Sequence, residues 1–361
     1  MVDPAASGRV VALLANFCWV ELDSPGPGHT TRLLCTRRTR LGKSGLQICT
    51  GDWVELEGID WAAGRAAVGT LLPRQSLLER PAVANVSRVV VVAALAEPEL
   101  DPLQLTRFLL TAEATGQPVE LVLSKADLPE PAAVEQWCER ARAWGYQPVA
   151  FSTATGLGLD ALRERLSQPG LAVLCGPSGV GKSSLLNALR PELELRVGEV
   201  SGRLQRGRHT TRHVELFPIA PAALVADSPG FNRPALPSDP AALALLFPEL
   251  RQQLAATSCR FSNCLHQGDP GCAIAPGWDR EALYRQCLAD LLDEAAREEK
   301  RSSTGPGLRQ RGSRLEPRLD PRLRQESRRR QRQQAHGDEQ PGDELLGDDP
   351  IEELSPPDPA D

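Results

Sequence analysis

Apolar and polar residues alternate in short runs over the first part of the chain. These runs predict strands at Gly8–Ala15, Phe17–Leu22, Thr31–Cys35, Gln47–Ile48, Trp53–Glu57 and Ala66–Leu71. Turn residues separate them at Ser24 to Gly28, Gly42 to Gly45, Gly51-Asp52 and Ala63-Gly64. Short strands at this spacing suit a small closed β-barrel of the OB type. From about residue 81 the pattern changes. Val89–Ala94 and Val119–Leu123 are unbroken apolar runs, as parallel strands buried on both faces should be. Leu103–Ala114 and Ala132–Trp144 carry helical spacing, and Gln147–Phe151, Leu171–Leu174, Val214–Pro218 and Ala223–Ala226 add strand candidates. Strands alternating with helices predict an open α/β domain. Beyond it, Ala241–Leu246, Pro248–Leu254 and Asp279–Glu299 read as helix, interrupted by a cysteine-rich loop. The expected order is a barrel over 1–78, an α/β domain over 79–237, a mainly α module over 238–298 and a disordered tail over 299–361.

Charge changes this picture only at the end. The net charge of −6 hides a basic block, 297–332, with 13 Lys/Arg against 5 Asp/Glu. It is followed by 333–361, with 10 acids and no Lys or Arg. Few large apolar residues lie in this tail, so it reads as solvated, with a basic part compatible with nucleic acid. A second basic cluster, Arg37, Arg38, Arg40 and Lys43, falls in a barrel loop and is an RNA-contact candidate. The start lacks a signal peptide and no apolar run approaches membrane-spanning length, so a cytoplasmic protein without a membrane partner is expected. Nine cysteines then suggest a reducing compartment. Cys18, Cys35, Cys49, Cys138 and Cys175 are scattered and read as packed thiols.

The chemistry begins after the strand Leu171–Leu174. Gly176-Pro177-Ser178-Gly179-Val180-Gly181-Lys182-Ser183-Ser184 fits the phosphate-binding pattern G-x4-GK[ST] and opens a helix that runs to Leu189. Glycines let backbone N–H groups close around phosphate oxygens, and the helix adds its positive dipole end. Lys182 is placed for the β- and γ-phosphates and Ser183 for Mg²⁺. Two further segments fit the same chemistry. Asp227-Ser228-Pro229-Gly230 follows an apolar run, with Asp227 for the Mg²⁺ shell and Gly230 for the γ-phosphate. Between them, Gly207 to Thr211 offers Thr210 or Thr211 as a closing Mg²⁺ ligand. A base-reading carboxylate normally follows the phosphate loop, as Asn-Lys-x-Asp. Here Ser124-Lys125-Ala126-Asp127 comes before it, with a companion Ser152-Thr153-Ala154-Thr155-Gly156. That order is a circularly permuted GTPase domain, with Asp127 and Lys125 as guanine ligands. Cys259-x4-Cys264-x-His266-x5-Cys272 suits a closed tetrahedral structural Zn²⁺ site.

With these motifs in hand, the chain resembles the ribosome small-subunit-dependent GTPase A family of bacterial assembly factors over about residues 8–290. The resemblance rests on Gly51-Asp52-Trp53-Val54, the run Leu72 to Pro81 with Asn85, the permuted motif order, Gly207 to Thr211 and the cysteine–histidine cluster. It implies an N-terminal OB barrel, a permuted GTPase domain and a zinc module, one Zn²⁺ per chain and Mg²⁺ with GTP. It also implies binding to the small ribosomal subunit and its 16S rRNA late in maturation, and GTP hydrolysis stimulated by that subunit. A monomer is expected. Two positions depart from the pattern. Ser124 stands where asparagine is usual, and Phe231 where a water-positioning glutamine is usual in GTPases. A phenyl ring cannot orient water, so His209 in the threonine loop is the candidate catalytic group beside Lys182. The competing expectations are a nucleotide-gated RNA-binding module with incidental hydrolysis and a P-loop ATPase of RNA metabolism.

Overall fold

The structure is a computed structural model that describes residues 6–37, 47–79, 82–193, 214–227, 236, 239–303, 308–311 and 314–317. Its first five strands are β1 (Ser7–Leu13), β2 (Phe17–Leu22), β3 (Arg32–Thr36), β4 (Trp53–Asp60) and β5 (Arg65–Leu71). Alternate residues point inward: Cys18, Val20 and Leu22 from β2, Leu33 and Cys35 from β3, Val54 and Leu56 from β4, Ala66 and Val68 from β5. The strands hydrogen-bond in the order β1-β2-β3-β5-β4, and β4 returns to β1 through Gly8↔Val54. The barrel is therefore closed and has no free edge. The strand expected at Gln47–Ile48 is absent. The Cys49 N–H donates to the Asp52 carboxylate at 2.7 Å instead of joining a ladder, and Ile48 still packs in the barrel core.

A short hairpin that the sequence pattern did not reveal follows, β6 (Leu77–Glu79) with β7 (Ala82–Ala84). Then come β8 (Arg88–Ala94), α1 (Pro102–Glu113), β9 (Val119–Ser124), α2 (Pro131–Ala143), β10 (Val149–Ala150), α3 (Leu159–Leu166), β11 (Gly170–Cys175), α4 (Lys182–Leu189), β12 (Glu215–Ala220) and β13 (Ala223–Asp227). Strands β10-β9-β8-β11-β13 run parallel, and β12 closes the row antiparallel. The uninterrupted valine run of β8 now has its reason. Val89, Val91 and Ala93 face α1 and α2 through Phe108, Leu109 and Ala141, while Val90, Val92 and Ala94 face α3 and α4 through Leu162, Leu166 and Leu186. A strand covered on both faces has no polar side.

Barrel and α/β sheet are joined rather than strung together. β1 bridges to β12 at Ala12↔Glu215, and an isolated bridge links Thr50 with Val83. Gly51 fits only because it lacks a side chain: a Cβ there would lie 2.1 Å from the Ala84 carbonyl oxygen. The Arg9 guanidinium donates to the Gly51 and Asn85 carbonyls, and the Asn85 amide donates to Gly51 as well. Asp52 is fully buried and takes a two-pronged bond from Arg74 at 2.7 and 2.8 Å. Removing one partner of such a pair strands the other. Asp52→Ala is expected to lower stability by about 3 kcal/mol. Asp52→Asn, which keeps an acceptor for Cys49, should cost less. Denaturant midpoints of the two variants check this, and an Asp52→Ala midpoint equal to that of the unsubstituted chain would remove the ion pair from the joint.

The C-terminal module holds a 3-10 helix (Pro240–Leu246), where α-helix was expected, then α5 (Pro248–Ala256) and α6 (Glu281–Ser303). Its core groups Phe247, Leu250, Tyr284 and Leu288 with Leu110 of α1. Cys287, which the spacing of the other cysteines did not bring into view, is buried there too. Arg280 is fully buried between the rings of Trp144 and Phe247, at 4.6 and 4.7 Å, and pairs with Glu249. Beyond α6, the tail includes a short antiparallel hairpin, β14 (Leu308–Arg311) with β15 (Arg314–Pro317).

Candidate nucleotide site and metal centre

The phosphate-binding pattern lies where β11, in the middle of the parallel sheet, meets α4. Gly176 leaves the strand at φ 141°, and a Cβ there would sit 2.1 Å from the Val92 carbonyl. The backbone can pass so close to β8 only as glycine. Gly181, in the left-handed region at φ 94°, caps α4 without any side-chain hydrogen bond. The first N–H groups of the helix are thus left for an anion rather than a capping side chain. Lys182 is 9% exposed, and its ammonium donates to Gly176 O and Pro177 O, both at 2.7 Å. It is folded over the mouth of its own loop, where polyphosphate oxygens would offer stronger, charged partners. Ser183 and Ser184 are half-buried in the first turn, Pro177 is half-buried, and Ser178 and Gly179 are exposed.

The base-motif loops meet this loop from the side. Ser124 ends β9, is buried, and its hydroxyl lies 2.6 Å from Val180 O and 3.2 Å from Ala93 O. The hydroxyl has one proton to give, and the shorter contact makes it a tie from β9 to the phosphate loop. Lys125 takes a positive φ of 56° and its ammonium bonds Glu97 O. Asp127 stands exposed in the next turn. The two base loops are stitched together by Ala126 N–H to Phe151 O at 3.1 Å. Ser152 is buried, and its oxygen accepts from the N–H groups of Ala154 and Thr155 at 3.1 and 3.2 Å, so it shapes its loop. Asp227 closes β13 in register with Leu174 of β11, one strand from the phosphate loop. His209, Thr210, Thr211, Gly230 and Phe231 lie outside the described residues, as do Arg38, Arg40 and Lys43. Arg37 is described, and its guanidinium braces the β1–β2 turn through Leu14 O and Ala15 O.

The cysteine–histidine cluster is brought together. Cys259, Cys264 and Cys272 Sγ lie 3.5, 3.8 and 3.5 Å from His266 Nδ1, and all four ligand atoms fall within 4.8 Å of one another. A tetrahedral zinc with usual bond lengths sets sulfur and nitrogen about 3.6 Å apart, so the set fits that ion. Three backbone N–H groups point at the sulfurs: His266 to Cys264, Ala273 to Cys259 and Ile274 to Cys272, at 3.3–3.4 Å.

Against this geometry the comparisons with known proteins are direct. The sequence model of the RsgA GTPase family matches residues 71–237. A Small ribosomal subunit biogenesis GTPase RsgA of Synechococcus sp. (strain CC9605) is 59% identical over 293 residues, covering 80% of this chain and 96% of that protein. The chain belongs to the RsgA GTPase family. A relative of the same name from Thermosynechococcus vestitus is 45% identical over 333 residues, covering 91% of this chain and 94% of its own. Among solved structures, YjeQ from Thermotoga maritima superposes with a TM-score of 0.65 at 29% identity, covering 80% of this chain and 99% of its own. YloQ, described as a circularly permuted GTPase, gives 0.65 at 26%, covering 81% and 96%.

Membership in the RsgA GTPase family makes this chain a GTP-hydrolysing enzyme of ribosome biogenesis with a circularly permuted GTPase domain, and implies Mg²⁺ with GTP. Among the described residues no helix is long and apolar enough to cross a membrane. The motif residues sort into two kinds. Lys182, Ser183 and the loop glycines belong to the β11–α4 loop itself. Ser124 braces that loop from β9, and Ser152 shapes its own loop beside it. The part played by Val180, whose backbone carbonyl is the anchor for Ser124, had no sequence signal beyond the loop pattern itself.

Proposed function

We propose that this enzyme binds the small (30S) ribosomal subunit late in its maturation and hydrolyses GTP to GDP and phosphate under stimulation by that subunit. The observation that carries the reading is the Ser124–Val180 tie, which joins a base-reading loop to a phosphate loop in permuted order. The Synechococcus and Thermosynechococcus relatives align over 96% and 94% of their own length, and each is named a small ribosomal subunit biogenesis GTPase. Gly176, Gly181 and Lys182 hold the phosphate chain, with Pro177, Ser178, Gly179, Val180 and Ser184 supplying the rest of the loop. Ser183, Asp227 and Thr211 hold Mg²⁺, which when bound neutralises phosphate charge, with Thr210 as the alternative ligand. Gly230 senses the γ-phosphate, Asp127 and Lys125 hold guanine, and His209 positions the attacking water. Zn²⁺ sits on Cys259, Cys264, His266 and Cys272 as a structural ion.

The units act as the ranges 1–78, 79–237, 238–298 and 299–361, with the barrel and zinc module contacting 16S rRNA from the cytoplasm and the protein acting as a monomer. GTP turnover measured alone and with small subunits, large subunits or free rRNA tests the reading. A strong rise with small subunits alone is expected. A low rate unchanged by any particle moves the nucleotide-gated RNA-binding module, which Phe231 and Ser124 favour, to the front. Competition by ADP as well as GDP points to the ATPase.

A further inference from the structure

A cleft separate from the phosphate loop lies where the barrel wall parts from the α/β sheet. β1 and β12 touch at Ala12↔Glu215 and then diverge, leaving a half-open wedge of about 590 Å³. That is the size of a small-molecule site. Much of its wall is apolar: Val11 and Leu22 from the barrel, Ile219 and Leu224 from the β12–β13 hairpin. Two guanidinium groups sit on the wall. Arg190, the residue that ends α4, reaches Pro218 O and Glu192. Arg9 is only 8% exposed and stacks 5.2 Å over the Trp53 ring, which also lines the wedge.

Arg9 is the unusual member. Its Nε and Nη2 are fixed by the Gly51 and Asn85 carbonyls, so its orientation is set by the joint. Among the described residues it has no carboxylate partner, although Glu21 is its cross-strand neighbour. Burial without a counter-charge draws its pKa down to about 10. A buried cation in this state is stabilised by any anion that reaches it. Glu21 and Asp23 line the barrel side of the mouth, and Asp23 is already taken by the Ser7 hydroxyl at 2.6 Å. They bias the wedge against a multiply charged polyanion and towards a compact molecule with a single anionic head.

We propose that this wedge is a second ligand site, distinct from the nucleotide site, for a small molecule with an apolar body and one oxyanion head group held by Arg9 and Arg190. α4 has eight residues, so the wedge lies about 12 Å along that helix from the phosphate loop.

The test uses the full chain, with benzoate and phenyl phosphate as probes and benzamidine as the opposite-charge control. Binding is followed by calorimetry and by tryptophan fluorescence, each with and without excess GDP. Saturable millimolar binding of either acid is expected with GDP present, and the tighter of the two identifies the head group. Arg190→Gln should weaken it roughly tenfold, and Ala220→Trp, which fills the wedge without touching the joint, should abolish it. Trp53→Phe should remove the fluorescence change while calorimetric binding persists. Arg9→Gln should weaken binding most, but the joint depends on Arg9, so the decision rests on Arg190→Gln and Ala220→Trp. Binding that GDP abolishes belongs to the phosphate loop and overturns the proposal. So does binding that survives Ala220→Trp, equal binding of benzamidine, or no saturation.

Discussion

Lys182→Ala is expected to cut subunit-stimulated GTP turnover by about 10²–10³-fold while leaving the chain folded. Phosphoryl transfer leaves the protein little covalent work, so rate comes from placing charge where it develops. In this loop the ammonium is the one cation in the pattern, and it is already aimed across the mouth by Gly176 O and Pro177 O. Removing it frees two carbonyls that lie at a polar, partly open loop, which costs far less than opening the core beneath, where Leu185, Leu186 and Val92 pack. Turnover and the unfolding midpoint measured on the same preparation separate the two effects. A variant that keeps near-normal turnover would take Lys182 out of the chemistry. Ser124→Ala makes the contrast. It removes no charge and touches no phosphate, but it releases Val180 O from β9. Roughly tenfold weaker nucleotide binding is expected, with the bound nucleotide still hydrolysed.

How much of this was legible follows from what each residue answers to. The barrel strands answer to their own alternation, and β8 to the two layers that cover it, so both could be read locally. α3 was also readable in principle: Leu159, Leu162 and Leu166 keep helical spacing, but only eight residues stand between two loops. The hairpin β6–β7 has three-residue strands, too short for a period to emerge. The joint is different in kind. Arg9, Gly51, Asp52, Arg74 and Asn85 are spread over 77 residues; Arg9 and Asn85 bond backbone carbonyls that no pattern announces, and Arg74 reaches a carboxylate 22 residues away. Family resemblance singled out four of these positions, Gly51, Asp52, Arg74 and Asn85, without saying why they matter. The structure supplies the reason, which is the seam between barrel and sheet. In the candidate site, the phosphate loop and the metal ligands were read from spacing because both depend on local geometry. The role of Ser124 was not, since its partner lies 56 residues away.

Loss of zinc is expected to unfold one stretch of the chain and spare the rest. From Thr257 to Asp279 there is no helix or strand, and Ile274 is the one residue there that is buried. A segment of this length without its own core is held by what crosses it. Here that is the four-ligand cluster, with the Tyr284 hydroxyl donating to Leu265 O as one tie to α6. Structural zinc contributes on the order of 10 kcal/mol in small metal modules at neutral pH, as much as a whole domain's net stability. No hydrogen bond or apolar contact in this loop approaches that. The helices on either side stand on different ground, since Phe247, Leu250, Tyr284 and Leu288 bury one another whether or not the loop is closed. Chelation, or Cys272→Ser, should therefore leave helical circular dichroism nearly unchanged while exposing Arg260 to trypsin. One zinc per chain should be released in step with that cleavage. Metal-free protein as resistant at Arg260 as the loaded form would mean that packing alone holds the loop. The cluster's 3.5–3.8 Å spacing would then be a consequence of the fold rather than its cause.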